Sequence, residues 1–446
     1  MIFHLHTYGC QMNQRDSEAL AEQLIKAGYQ RSITGESADI VIVNSCSVRG
    51  KAEDKALGKL AMLAANRRST GSPVYLGVVG CMVQRMQKQL FDRVPALDFA
   101  VGPQRIHRLP AILDQVIAGQ GPVLDVSLSD NPEVLTGHQS GTISAFVTIL
   151  LGCNRRCAYC IVPTVRGPEW SRPASGILEE IRILSAAGVR EVTLLGQSVM
   201  SYGRSNPVWS GTDQSPLGFT EPLPRLLEAV CGIPSIVRLR FTSGHPSGCT
   251  EELARVMGAC APLCEHLHLP VQSGSDAVLH RMRRGYSSDD YRRAVERLRR
   301  SVPALSLTTD VIVGFPGETN DDFEQTRSFL DEIGFDNAFI FKYSPRPGTP
   351  AASWEDDVPE TEKNRRNQVL LEDQDRRGLQ RHQNRIGCDM EILVEGPSLR
   401  DPTRWAGRTR SNIVTIFDPR PGLFPGSLVT VRIDRVRPQT LYGTIR

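Results

Sequence analysis

The chain has 446 residues, of which 40% are hydrophobic and 23% charged, and its formal net charge is +3. Two to four globular domains fit that length, and so small a charge excludes nothing about partners by itself. No apolar run approaches the roughly 18 residues of a membrane span, and the amino terminus has neither the basic start nor the long apolar stretch of a signal peptide, so a cytoplasmic protein with no membrane association is expected.

There are 11 cysteines, an odd number, in a chain long enough to bury cores without disulfides. Metal or redox use is the better reading of them. The first elements alternate. Ile2 to Tyr8 reads as a strand and Asp16 to Lys26 as a helix closed by Gly28. Strands follow at Ile40 to Asn44 and Val74 to Val79, with helices at Lys51 to Arg67 and Val83 to Phe91. Such alternation means an open parallel sheet with right-handed crossovers. Cys10, Cys46 and Cys81 each come directly after one of these strands. In open parallel sheets ligands bind beyond the carboxyl ends of the strands, so three cysteines distant in sequence fall on one edge. Small or polar residues before each thiol let the loop turn tightly around a bulky group. Three inert, buried cysteines are the competing reading.

Gly119 to Ser140 is rich in Gly, Pro, Ser and Asp and reads as a linker or short hairpin at a domain boundary. A second alternating series then begins. Its strands are expected at Ile143–Leu151, Glu191–Leu195, Ile236–Phe241, His266–Val271, Leu305–Val313 and Ala338–Tyr343, with helices between them. Six such units suit a partial barrel, open on one side, with its chemistry at the carboxyl ends of the strands. The first of those ends carries Cys153, Cys157 and Cys160, spaced CxxxCxxC. Thiolates normally hold all four irons of a [4Fe–4S] cube, and three leave one iron open to a substrate. A zinc knuckle is the alternative, but zinc usually takes four ligands in CxxC pairs. The spacing, with Tyr159 just before the last cysteine, resembles the radical S-adenosylmethionine (SAM) superfamily. In that superfamily the open iron chelates SAM, and one electron splits it to methionine and a 5′-deoxyadenosyl radical. Gln197 and Gln272, at other strand ends, are the candidates to hydrogen-bond SAM. Asn206 to Pro224 reads as a surface loop.

Glu360 to Arg385 reads as a polar connecting helix. Short strands at Asp389–Glu395, Ser411–Ile416, Leu428–Val436 and Leu441–Ile445 argue a small β-barrel. Residues 378–446 hold 11 arginines, no lysine and 6 acidic residues, a charge of +5, against −2 for everything before them. A basic barrel on a nearly neutral body is the footprint of nucleic-acid binding, with Arg404, Trp405, Arg408 and Arg410 as candidate contacts. Cys231, Cys249, Cys260, Cys264 and Cys388 read as structural, and His266 and His268 as core packing.

The order of these three parts resembles the methylthiotransferases, whose third domain is called TRAM. Eight stretches carry the likeness. They are Thr7-Tyr-Gly-Cys-Gln-Met-Asn13 with Asp16-Ser-Glu18, Asn44-Ser-Cys-Ser-Val-Arg49, Gly80-Cys-Met-Val-Gln-Arg85, Gly167-Pro-Glu-Trp-Ser-Arg-Pro173, Leu195-Gly-Gln197, His268-Leu-Pro-Val-Gln-Ser-Gly-Ser275, Asp310-Val-Ile-Val-Gly-Phe-Pro-Gly-Glu-Thr319 and Ser344-Pro-Arg-Pro-Gly-Thr-Pro350. The first and sixth look like the MiaB-type, tRNA-modifying group. Ser45 and Gly244 depart from that group's usual threonine and serine. The resemblance implies an N-terminal domain over 1–118 with an auxiliary cluster, a radical SAM core over 139–376 and an RNA-binding TRAM domain over 378–446. It implies two [4Fe–4S] clusters, one on Cys10, Cys46 and Cys81 and one on Cys153, Cys157 and Cys160, with Tyr159 beside the SAM adenine. The implied reaction puts a methylthio group on carbon 2 of N6-prenyladenosine beside the anticodon of tRNA. The implied partners are tRNA, an electron donor such as a flavodoxin or ferredoxin, and a supplier of sulfur or clusters to a monomeric enzyme. The same chemistry on a ribosomal-protein aspartate or on threonylcarbamoyl-adenosine tRNA is the nearest alternative. An iron–sulfur electron carrier or an RNA-binding protein without catalysis is the alternative of a different class.

Overall fold

In the computed structural model the described residues are 1–446 without Glu36, Arg49 and 210–214. Arg49 of the second matching stretch and part of the Asn206 to Pro224 loop therefore lie outside them. Six parallel strands form the first sheet: β1 (Ile2–Tyr8), β2 (Gln30–Arg31), β3 (Ile40–Ser45), β4 (Tyr75–Val79), β5 (Phe99–Val101) and β6 (Val123–Asp125), in the order β2-β1-β3-β4-β5-β6. Every residue of β3 is buried, as a strand covered by helices on both faces must be. The register aligns Tyr8 with Ser45 and Asn44 with Val79, so β1, β3 and β4 end level. The helix after β1 runs Gln11–Lys26 and starts earlier than its sequence suggests. Asn13 is the reason, because its side-chain oxygen accepts the Cys10 N–H at 3.3 Å and closes the first turn. The single helix expected over Val83 to Phe91 is instead two, Cys81–Met86 and Gln89–Arg93, broken at Gln87 with φ 49°. β6 corrects the linker reading of Gly119 to Ser140, since three of its residues complete the sheet.

The second series contributes β7 (Ser144–Thr148), β8 (Leu150–Leu151), β9 (Trp170–Ser171), β10 (Glu191–Leu195), β11 (Arg238–Phe241), β12 (His266–His268), β13 (Ser306–Val313) and β14 (Asn337–Lys342). Two parallel sheets, β11-β10-β7 and β12-β13-β14, meet through a bridge between Leu239 and Leu263. Together they make the expected six-stranded partial barrel, open between β7 and β14. The strand expected over Ile143 to Leu151 breaks at Ile149, and β8 turns away to pair with β9. Along β13 the period of two is clean. Leu307, Val311 and Val313 are buried in the main core with Tyr291, Leu298, Phe323 and Leu330 of the surrounding helices. Thr308, Asp310 and Ile312 are half-buried on the concave face.

Helix Glu360–Gln383 is more than a connector. It buries Leu370 and, alongside it, Lys363, Arg366, Asp373 and Arg377. Arg366 pairs with Glu318 at 2.8 Å and Asp373 with Arg327 at 2.6 Å, so ion pairs hold a polar helix to the barrel. Beyond it β15 (Asp389–Pro397), β16 (Trp405–Thr409), β17 (Val414–Phe417), β18 (Leu428–Arg437) and β19 (Thr440–Ile445) close a barrel in the order β15-β16-β17-β19-β18. The β16–β17 turn docks on β11 and on the segment before β12. Fully buried Arg238 donates to the Arg408 carbonyl, and Arg240 to the carbonyls of Thr409 and Arg410 at 2.9 and 2.7 Å. No helix among the described residues is long and apolar enough to cross a membrane.

Candidate functional site

Cys10, Cys46 and Cys81 stand just past the level ends of β1, β3 and β4, and two glycines let them meet. A Cβ on Gly9 (φ +152°) would lie 2.5 Å from the Cys46 Cβ, and one on Gly80 (φ +98°) 2.8 Å from the Ser45 carbonyl. Buried Asn13, Asn44 and Ser17 lock the loops beneath. Asn13 donates to Asn44 at 3.1 Å, and Asn44 donates to Ser17 at 2.9 Å. The Cys46 thiol hydrogen-bonds to Cys10 and lowers the Cys10 pKa to about 6, while the Cys46 pKa is raised by the same contact. Burial pushes Cys81 up. Arg166, from the second series, donates to the Cys81 sulfur at 3.1 Å and to Asp16 at 2.7 Å.

Cys153, Cys157 and Cys160 lie on the loop after β8. Gly152 (φ +72°) starts it, where a Cβ would sit 1.9 Å from the Pro168 carbonyl. Its N–H donates to the Gln197 side chain at 2.6 Å. The middle of the loop is pinned by the Ala158 N–H on the Met282 carbonyl and by the Ala351 N–H on the Ala158 carbonyl, both at 2.9 Å. Buried Arg284 donates to the Cys157 sulfur and to the Tyr159 hydroxyl, each at 3.3 Å, and the Tyr159 ring meets Phe315 edge-on at 6.4 Å. Burial raises the pKa of Cys153, and that of Cys160 to about 12. Gln272 is buried with φ 72° and gives its N–H to the Asp310 carbonyl at 2.8 Å.

One short helix joins the two sets. Ile161, next in the chain to Cys160, packs with Val165 against Cys81, and Arg166 ends that helix. Three more side chains stand around the two sets that spacing alone does not reveal: Arg166 at Cys81, Arg284 at Cys157, and His245 near Arg284. The His245 Nδ1 accepts the Ser247 N–H at 3.2 Å, its ring meets Tyr286 edge-on at 5.1 Å, and its Nε2 is buried with no partner. Burial, with Arg284 and Arg155 nearby, lowers its pKa to about 2.

The donor chemistry fits an iron–sulfur group. Each set offers three thiols and an arginine N–H on a sulfur, and hydrogen bonds to sulfur are a lever on such clusters. Among the described residues no three His, Cys, Asp or Glu side chains come together as closely as a single metal ion requires. A four-iron cube spreads its thiolates more widely than one ion does. The unpartnered His245 Nε2 leaves a buried polar position on the Arg284 side of the Cys153, Cys157 and Cys160 set for a bound polar molecule.

Residues 147–330 match the radical SAM superfamily, 383–445 the TRAM domain, and 2–102 a family described as uncharacterized protein family UPF0004. A tRNA-2-methylthio-N(6)-dimethylallyladenosine synthase of Akkermansia muciniphila is 41% identical over 99% of this chain and 98% of its own. The protein of the same name from Carboxydothermus hydrogenoformans is 44% identical over 97% and 96%. The chain belongs to the tRNA-2-methylthio-N(6)-dimethylallyladenosine synthase family. That makes it a radical SAM transferase, and a [4Fe–4S] cluster and SAM come with the superfamily. A solved radical SAM methyltransferase, TsrM from Kitasatospora setae, shares the fold at TM-score 0.58 and 14% identity, over 79% of this chain and 75% of its own.

For this synthase family member one sequence expectation needs correction. Arg410 is taken up inside the protein. Its guanidinium pairs with Glu265 at 2.8 Å and with the Ala261 and Leu263 carbonyls, fastening the barrel to the core. Trp405 packs on the barrel core, Arg404 pairs with Asp418 and Arg408 with Glu395. The open basic face lies around Tyr442, where Arg404 also stands, 5.9 Å from the ring centre. Exposed Arg435 and Arg437 lie 4.1 and 5.8 Å from the Tyr442 ring centre, and among the described residues neither forms an ion pair.

Proposed function

We propose that the chain adds a methylthio group to carbon 2 of N6-dimethylallyladenosine beside the anticodon of tRNA. In this reading Cys153, Cys157 and Cys160 hold the cluster that binds SAM, and Cys10, Cys46 and Cys81 hold a second cluster that carries the sulfur. The observation behind it is the helix Val162–Arg166, which has one three-thiol set at its start and touches the other through Val165 and Arg166. Bound to the first set, the cluster and SAM supply a radical able to take hydrogen from an unactivated ring carbon.

The protein's part is placement and exclusion of water. Gln197 holds the amide that starts the thiol loop, so its oxygen serves the loop first. Arg284 steadies Cys157 and Tyr159 together, and the Tyr159 ring would stand beside the adenine of bound SAM. Gln272 and the His245 N–H offer polar contacts to SAM. Arg166 holds the Cys81 sulfur in place. Arg435, Arg437 and Tyr442 give tRNA a stacking ring and phosphate partners. An electron donor such as a flavodoxin or ferredoxin and a sulfur or cluster supplier complete the cycle of a cytoplasmic monomer.

The test is anaerobic. The protein is loaded with iron and sulfide and given SAM, a reductant and prenylated tRNA lacking the methylthio group. Mass spectrometry is expected to find both 5′-deoxyadenosine and the 2-methylthio nucleoside. 5′-Deoxyadenosine without the nucleoside would reject this substrate, and neither product from iron-loaded protein would reject the reaction.

A further inference from the structure

The concave face of β12, β13 and β14 carries side chains that the fold itself does not need. Phe339 and Phe341 are 49% and 40% exposed, although they belong to an inner layer of the enzyme. Their neighbours Ala338 and Ile340 pack inward, so the two rings share the other face of β14. Register sets Phe339 beside Asp310 and Phe341 beside Ile312. Ile312 in turn packs on the buried cluster around Phe315 and Tyr343, as Tyr159 does. The strip thus starts at the Cys153–Cys160 loop and runs down the strands. At its far end the His268 ring meets Phe339 edge-on at 5.9 Å, and its Nε2 stands 3.4 Å from an Asp310 oxygen. His268 is therefore not core packing, as its spacing implies, but part of this open face. β14 also borders the gap where the barrel stays open.

We infer that Phe339 and Phe341, set between the Tyr159 cluster and the His268–Asp310 pair, seat the dimethylallyl group of the substrate adenosine. The inference rests on the proposed function, whose substrate carries a branched five-carbon apolar group on N6. Two rings left in water are unfavourable, and an apolar group laid over them removes that cost. The Asp310 carboxylate beside them repels an acidic N6 substituent, which sets this seat against threonylcarbamoyl-adenosine. A pocket that loses several carbons of contact loses about tenfold or more in discrimination.

The experiment measures binding of labelled anticodon stem-loop RNAs to the full, cluster-loaded chain. Three RNAs are compared, bearing N6-dimethylallyladenosine, plain adenosine or N6-threonylcarbamoyl-adenosine at the same position. Wild type is expected to prefer the prenylated RNA by about tenfold or more over both others. The F339A/F341A variant is expected to bring the prenylated and plain RNAs within about twofold, and F339L/F341L to restore most of the preference. The electron paramagnetic resonance signal of the reduced protein with SAM should be the same in all three proteins. F339S, at the more exposed ring, gives the same reading if the double variant fails to fold. A preference that survives in the alanine and serine variants overturns the seat, as does wild-type binding of the threonylcarbamoyl RNA as tight as the prenylated one. A wild type that methylthiolates the prenylated RNA while its variants keep their preference loses only the seat. A wild type that does not methylthiolate it loses the proposed function and the seat together.

Discussion

At the scale of single residues, the contacts that matter most are arginine N–H groups on cysteine sulfur. Arg166 reaches Cys81 across 85 positions of chain and Arg284 reaches Cys157 across 127. The places of the six cysteines in the fold are legible because each stands at the end of a strand or in a short, characteristic spacing. The arginines were not, because nothing in the local pattern says which distant thiol a buried guanidinium will meet. His245 was missed for the same reason, since only the folded chain shows its Nε2 without a partner. Two outcomes follow at this scale. Replacing Cys157 with alanine removes a thiol from the loop proposed to bind SAM, and 5′-deoxyadenosine formation should fall to background in reconstituted protein. Replacing Arg166 with alanine leaves Asp16 without its buried partner. Breaking such a pair costs about 3–5 kcal/mol, and the lower end fits Asp16, which stays partly open to water. Denaturant unfolding should therefore show a loss of about 3 kcal/mol, together with reduced iron at the Cys10, Cys46 and Cys81 set.

At the scale of elements, long amphipathic segments could be read in advance and short or polar ones could not. β1, β10 and the strands of the partial barrel stand where their apolar runs put them. β5 and β6 have only three residues each and exist because β4 offers an edge to pair with. β16 contains Gly407 and Arg408 and is a strand only because β15 and β17 flank it. Helix Glu360–Gln383 lacks an apolar stripe because ion pairs to Glu318 and Arg327 take its place. The docking of the β16–β17 turn changes how the RNA-binding reading must be tested. Removing the barrel would uncover the buried Arg238 and Arg240, so a loss of binding would be ambiguous. Changing Arg435 and Arg437 to alanine leaves that interface alone. It should weaken stem-loop binding for any sequence and make the slope of log affinity against log salt shallower by about 1.5. An unchanged slope would take these two residues out of the RNA interface.

At the scale of the whole molecule, the surplus charge of the tail is a poor guide to its binding face. Of its 11 arginines, several are spent on Asp336, Glu265, Glu395, Asp418 and Asp389. What the fold achieves is to bring two thiol sets, one from each α/β unit, to either end of a single short helix. A division of labour between them is the central claim, and the Cys46→Ala variant tests it most directly. Reconstituted under anaerobic conditions with SAM, reductant and prenylated tRNA, that variant should still form 5′-deoxyadenosine but no 2-methylthio nucleoside. Methylthiolated product at the wild-type level would contradict the account, because the second thiol set would then have no part in the transfer.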